Sequence, residues 1–381
     1  MTDNRVDATL SDVMPNAWRL FSKRSFGESK LLPTRAVPGR VVQLVLWVID
    51  GLGYDQLTTA LASGLMPHLA RALTRSENRL YAIQTVSPSV TPVALASLVT
   101  GTAPAVHGIL GQVLYADGGV IDILRGPLPE TFGLAAAPAG AVCRALDVPY
   151  RVVLEHRLRT GPLTHVLHRE VEEIHTYIRD SGLSVLVNDL LSRVPRGLFY
   201  VYSSGIDSIN HERGAYSDEW RAEMAMLDHH LSAIEPSDGG QVILWITADH
   251  GHRPIAGVIP YDQLQAEIPQ LPRRVARVGP AISVDVEDVV RCNRILKTLT
   301  PAAVEIVKTD DVIARGYFGQ PTLGHLRARL GDYLLIPEPG WTWVDQLGEA
   351  GGLWGHGGAT AAEMQIPWLE IFIPPGGLAR G

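Results

Sequence analysis

The chain has 381 residues, 46% of them hydrophobic and 19% charged, with 33 Lys and Arg against 40 Asp and Glu for a net charge of −7. That is enough chain for a full core, and the charge balance gives no basis for a nucleic-acid or anionic-membrane binder. Two cysteines, Cys143 and Cys292, lie far apart in no paired spacing, as expected of buried thiols in a reducing compartment. With early acids, no apolar segment of signal-peptide length and no run of bilayer-spanning length, the sequence predicts a cytoplasmic protein with no membrane partner.

Residues 1–38 are polar and punctuated by proline, and read as an arm over the domain. Residues 41–49 form a nearly continuous apolar run, the pattern of a central parallel strand covered on both faces. The run ends in Asp50-Gly51-Leu52-Gly53, a turn, and a helical pattern follows to about Arg75. A second strand near 80–85 leads into Ser87-Pro88-Ser89-Val90-Thr91-Pro92 and the apolar segment 93–99. Thr91-Pro92 reads as a helix N-cap followed by the first helical position. A hydroxyl there sits beside free backbone N–H groups at the positive end of the helix dipole.

Residues 113–124, with Asp117-Gly118-Gly119 between alternating runs, predict a hairpin excursion near 113–150. Leu167, Val171, Ile174 and Ile178 fall at helical spacing and predict an amphipathic helix over 163–180. Strands follow at 198–202 and 242–246, separated by a helix whose apolar stripe includes Trp220, Met224 and Leu227. This succession of strands and helices predicts an α/β fold with a mostly parallel central sheet sandwiched by helices. The weakly periodic segment 256–341 predicts a smaller inserted α+β cap, the core being 39–255 plus 342–381.

Three strands are followed by a carboxylate: Asp50 after 41–49, Asp207 in the loop after 198–202, and Asp249 after 242–246. The carboxyl ends of strands in an open parallel sheet share one edge, where ligands bind. That edge therefore gathers Asp50, Thr91, Asp207, His211, Asp249 and His250, and His356 sits in the glycine-rich loop Gly355-His356-Gly357-Gly358. Oxygen and imidazole donors without thiolate suit two divalent cations, zinc or manganese. Two such ions can hold both the attacking and the leaving oxygen of an in-line displacement at phosphorus.

These residues resemble the alkaline phosphatase superfamily, and within it the type I phosphodiesterase/nucleotide pyrophosphatase branch. The likeness rests on Ile49-Asp50-Gly51, Pro88-Ser89-Val90-Thr91-Pro92, the run 98–109 containing Thr100-Gly101-x-x-Pro104-x-x-His107-Gly108, Asp207-x-x-x-His211, Asp249-His250-Gly251 and Gly355-His356-Gly357-Gly358. It implies an alkaline-phosphatase-like core. Asp207, His211 and His356 would hold one metal; Asp50, Asp249 and His250 would hold the other, with Thr91 coordinated there as the nucleophile of a phospho-threonine intermediate. It also implies a hydrolase of phosphodiester or pyrophosphate bonds in small phosphate esters or nucleotides. The alternatives are a phosphomonoesterase, a phosphonate hydrolase, a biosynthetic transferase, or a metal-binding protein without catalysis. Ala94 stands where diesterases of the branch carry an asparagine, which bears on substrate class. Asn210 is a candidate donor to a phosphate oxygen in its place, and His252 a candidate to line the pocket or shuttle protons.

Overall fold

The computed structural model describes residues 5–22, 24–36, 42–116, 119–171, 173–236, 242–320, 324–345 and 352–378. An eight-stranded sheet has the spatial order Arg5–Thr9, Arg79–Gln84, Gln365–Ile373, Val242–Thr247, Gln43–Ile49, Gly197–Ser203, Tyr150–Glu155 and Ile174–Tyr177. Strand Gln365–Ile373 runs antiparallel to both neighbours, and every other pairing is parallel. The three central parallel strands are buried along their whole length, which is why they read as unbroken apolar runs rather than as alternation. Trp47, Trp245 and Trp368 are fully buried in this sheet, the last two edge to face at 4.5 Å. Among the described residues both cysteines are buried and free, and no helix is long and apolar enough to cross a membrane.

Two segments differ from the sequence expectation. Residues 5–22, expected to belong to an arm, contribute the edge strand Arg5–Thr9, a 3₁₀ turn and the helix Val13–Ser22, with Val13, Met14, Ala17 and Trp18 buried in the main core. The helix expected over 163–180 ends early, as Pro162–His168, and Ile174–Tyr177 is a strand paired with Tyr150–Glu155. Apolar residues three and four apart fit a helix face, but Ile178 is 82% exposed and β-branched Ile174 and Thr176 lie in the strand. Strand Tyr150–Glu155 would otherwise lie at the sheet's edge with its backbone groups unpaired.

A second sheet of six strands carries its own apolar cluster around Ile282, Leu296, Leu335 and Trp343. Four of its strands fall in 276–337. The other two are the hairpin Val113–Ala116 and Gly119–Asp122, which joins through Arg277 opposite Val113. The predicted hairpin tip, Asp117-Gly118, lies outside the described residues. The junction is tight: a Cβ on Gly111 would lie 1.9 Å from the Arg277 carbonyl oxygen.

Candidate metal centre

The register of the central strands sets Val48 beside both Tyr202 and Thr247, so the chain leaves all three strands at one level. Asp50 is the first residue past its strand and Asp249 the second, and Asp207 follows within the first turn of helix Gly205–Arg213. Gly51 takes φ +74°, and a Cβ there would lie 2.9 Å from the Asp207 Cα and 2.8 Å from the His252 ring. Only glycine lets the loop after Asp50 pass so close to Asp207.

The first half of the centre is Asp50, Asp249 and His250, each at most 3% exposed. His250 Nε2 lies 3.5 Å from Asp50 Oδ1 and 3.3 Å from Asp249 Oδ2. The other oxygen of each carboxylate is engaged. The Tyr202 hydroxyl donates to Asp50 Oδ2, and the N–H groups of Gly51 and His250 donate to Asp249 Oδ1 at 3.0 and 2.9 Å. Asp50 Oδ1 and Asp249 Oδ2 are buried with no hydrogen-bond partner. Burial, then the carboxylates of Asp249 and Asp207, hold the Asp50 carboxyl well above its ordinary range. Two unpartnered carboxylate oxygens and an imidazole lie close enough together that they could hold one cation.

The second half is built around Asp207. Asp207 Oδ1 lies 2.8 Å from His252 Nε2, 3.4 Å from His211 Nε2 and 3.8 Å from His356 Nε2. Burial raises the Asp207 carboxyl, but hydrogen bonds and charge from His211 and His252 outweigh it and hold the group well below the usual range. Burial pushes His252 down to about 4 against the pull of Asp207. Burial also lowers His356, helped by His250 and His252. Burial lowers His211 too, but there the bond to Asp207 prevails and the ring stays above its ordinary value.

Three rings are oriented by carbonyls. His211 Nδ1 meets Trp354 O at 2.9 Å, His356 Nδ1 meets Ser89 O at 3.0 Å, and His250 Nδ1 meets Gly251 O at 3.3 Å. A carbonyl only accepts, so each Nδ1 carries a proton, and Nε2 is the ring atom turned towards the carboxylates. His250 and His356 stack at 3.7 Å, joining the halves. Asp207, His250, His252 and His356 form one set of donor atoms close enough for a single ion, and Asp50, Asp249 and His250 form another.

Thr91 is the first helical residue rather than the cap, a place taken by Val90, and its hydroxyl lies 3.1 Å from His250 Nε2. The expected ring of free N–H groups around it is absent: the Val93 and Ala94 N–H groups both donate to Val90 O, and Pro92 has none. The hydroxyl therefore faces the buried carboxylate half.

Two expected substrate contacts are turned elsewhere. Asn210 is fully buried, and its amide donates to Gly51 O and Gln56 Oε1, both at 3.3 Å, so it supports the Asp50 loop. His252 is likewise fully buried and packs against Asp207 rather than lining a cleft. His107 fixes its turn, its Nδ1 accepting from Ile109 N at 3.1 Å and its Nε2 bonded to Ser97 Oγ at 2.8 Å.

Sequence reasoning missed the groups that hang the His356 loop. Ser89 Oγ donates to Gly358 O at 2.8 Å and accepts from Gly357 N at 3.1 Å. Buried Glu363 accepts from Gly358 N at 2.8 Å and from the Thr360 hydroxyl at 2.6 Å. The signal for Glu363 was present: Thr360-x-x-Glu363 is a capping box.

Thr91 opens onto two spaces. One, of about 240 Å³, is lined by Leu95, Leu154, Leu163 and Leu167 beside Asp50 and Tyr202. The other, of about 830 Å³, is lined by His211, His356, Arg125, Arg277 and Trp343.

The sequence profile of the type I phosphodiesterase/nucleotide pyrophosphatase family matches residues 44–121 and 146–359. Among solved structures the fold is similar to that of Sinorhizobium meliloti phosphonoacetate hydrolase in complex with phosphonoacetate, at 20% identity and a TM-score of 0.67, covering 90% of this chain and 93% of that one. It is also similar to murine ectonucleotide pyrophosphatase/phosphodiesterase 5, at 16% identity and a TM-score of 0.66, covering 86% and 88%. The human counterpart of the murine protein aligns at 17% identity and a TM-score of 0.65, covering 86% and 87%. Helix-covered parallel sheet, carboxylates at the strand ends and the profile match over most of the chain lead to one assignment: this chain belongs to the type I phosphodiesterase/nucleotide pyrophosphatase family.

Proposed function

We propose that the chain hydrolyses phosphodiester or pyrophosphate bonds with two divalent cations, zinc or manganese, through a phospho-threonine intermediate at Thr91. Asp50, Asp249 and His250 hold one cation, with Thr91 beside it; Asp207, His211 and His356 hold the other. The observation that carries this reading is the Thr91 hydroxyl at 3.1 Å from His250 Nε2, next to two buried carboxylate oxygens that nothing else satisfies. The cations would lower the pKa of the hydroxyl and neutralise charge building on the phosphoryl oxygens.

The chain's own groups do the rest. Thr91 loses its proton to solvent, and its oxygen bonds to phosphorus as the bond to the leaving oxygen breaks. That oxygen is protonated as it departs. Water then attacks the same phosphorus, and the Thr91 oxygen leaves and regains a proton. Tyr202 and the Gly51 and His250 N–H groups hold the carboxylates in place, so little reorganisation accompanies the step.

Ala94 favours a second reading. Helix Thr91–Thr100 offers no side-chain donor three residues after the nucleophile, as a monoesterase or phosphonate hydrolase would tolerate. Initial rates of zinc-loaded protein on a chromogenic phosphate diester and monoester separate the two, with Thr91→Ala as the blank. Diester turnover that falls at least ~10³-fold in the variant is expected. Near-normal turnover by Thr91→Ala would remove the nucleophile assignment, and monoester preference would move the chain to the second reading.

A further inference from the structure

Asn210 stands one residue before His211 on helix Gly205–Arg213, yet its side chain bonds away from the Asp207 half. The amide nitrogen donates to Gly51 O and to Gln56 Oε1, both at 3.3 Å. The Trp220 indole N–H donates to the same Gln56 oxygen at 3.1 Å. Gln56 lies on helix Tyr54–Ala62 and Trp220 on helix Asp218–Ala233, and all three side chains are at most 1% exposed. The two ends of this network fix every orientation in it. A carbonyl only accepts and an indole only donates, so Gln56 must present its oxygen and Asn210 its nitrogen.

Two polar atoms are left over: Gln56 Nε2 and Asn210 Oδ1 are buried with no hydrogen-bond partner. Unpartnered buried amide atoms oppose folding, and an interface built for stability alone would be apolar there. The network ends instead on the residue that holds Asp249. Gly51 N–H donates to Asp249 Oδ1 at 3.0 Å, while its carbonyl is the one bonded by Asn210. The peptide planes on either side of Gly51 are thus tied in different directions, one to a carboxylate of the Asp50 half and one to Asn210. The N–H of the second plane, on Leu52, adds a longer bond to Ile49 O at 3.4 Å. Glycine has no side chain to restrict φ and ψ, so planes beside it turn more easily without such ties.

We infer that Asn210 and Gln56 are positioning residues for the Asp50 half of the centre, acting through Gly51 on Asp249 and Asp50, although Asn210 adjoins His211 of the other half. The inference rests on the two-cation reading proposed above. A turned Gly51 would withdraw one of the two N–H groups that fix Asp249 Oδ1, and with it the direction of Oδ2. Asp50, its chain neighbour, would shift as well. His211 is held independently, its ring on Trp354 O at 2.9 Å and its carbonyl on Leu353 N at 2.8 Å.

The test reads each half alone. Asp207→Asn leaves the Asp50 half as the zinc site and Asp50→Asn leaves the Asp207 half; zinc affinity is measured in each by competition with a chromogenic chelator. Adding Asn210→Ala should weaken zinc binding about 10–100-fold in the Asp207→Asn protein and less than about threefold in the Asp50→Asn protein. Gln56→Leu keeps the Asn210 bond to Gly51 but lets that amide turn, so it should weaken the same half by a smaller factor, about threefold to tenfold. A role in the fold alone would weaken both halves alike. Equal weakening, loss confined to the Asp207 half, or no loss in either would each overturn the inference. Wild-type protein that fails to bind two zinc ions would instead remove the two-cation reading, and the inference with it.

Discussion

The two halves of the candidate metal centre solve their electrostatics in opposite ways. Around Asp207 the protein is nearly self-sufficient: His252 and His211 sit on the carboxylate, which is held as a stable anion without help. Around Asp50 and Asp249 it is not. Two carboxylates lie buried with an oxygen each unsatisfied, and at Asp50 repulsion adds to burial in opposing ionisation. Such a site is costly to fold empty and favourable to fill. The Asp50 half should hold the tightly bound, structural cation, and the Asp207 half the more easily exchanged one.

Asn at each carboxylate breaks this comparison most sharply. Asp50→Asn keeps a side chain for Tyr202 and removes a buried like charge. It should lower activity at least ~10³-fold, yet raise the melting temperature of chelator-treated protein above that of chelated wild type. Asp207→Asn should also damage activity, but in chelator it should melt lower, because its hydrogen bonds to two histidines are charge-assisted and lost. Melting curves with and without chelator decide it; equal shifts of the same sign would mean the two halves are electrostatically alike.

Metal content sharpens the same contrast. His356→Ala removes one imidazole from the Asp207 half and leaves the sheet untouched, so the protein should fold and retain one cation of two. Elemental analysis after dialysis reads the stoichiometry. Retention of both would mean that His252, which shares Asp207 with His356, can replace it.

A smaller effect is expected one layer out. Ser89→Ala removes both hydroxyl bonds to the Gly357-Gly358 loop while leaving the Ser89 carbonyl on His356. Removing an outer partner of this kind costs about 10–100-fold in metal affinity. The loss should be confined to the Asp207 half. Weakening of both cations equally in a metal titration would show that the loop sets the whole centre rather than one side of it.

The same contrast shows what could be read from the sequence. Asp50 and Asp249 were visible because each ends a strand buried on both faces, and a run such as Val-Ile-Leu-Trp-Ile followed by an acid is a local pattern. Thr91 and His356 were visible through their proline and glycine neighbours. Tyr202 and Ser89 were not, since each acts on a residue more than 150 positions away, and nothing local records that. His252 and Asn210 were visible as residues near the site, but only the backbone shows them turned inward. The helix expected over 163–180 failed for a related reason: whether Ile174 faces a helix partner or extends a sheet depends on the vacant edge of Tyr150–Glu155, which is non-local.

The least effect concerns pH and lies behind the Asp207 half. Glu223 packs against Gly205, the first residue of the helix that carries Asp207 and His211: a Cβ there would meet its carboxyl at 2.1 Å. Burial, then the charges of Asp180 and Glu155, push Glu223 up from 4.5 to about 7. The folded state thus keeps a proton that the unfolded chain releases near 4.5. Between the two values the folded state binds more protons, so stability falls as pH rises. The contribution is whole below 4.5 and lost as pH passes about 7. Because the group is partly exposed and screened, about 1 kcal/mol is expected. Glu223→Gln should flatten the melting temperature between pH 5 and 8, with the two curves meeting at the acid end and the variant higher at the alkaline end. The contrast between halves predicts that metal content stays unchanged throughout. A variant whose melting temperature still falls across that window as the wild type's does would show that Glu223 is not the group responsible.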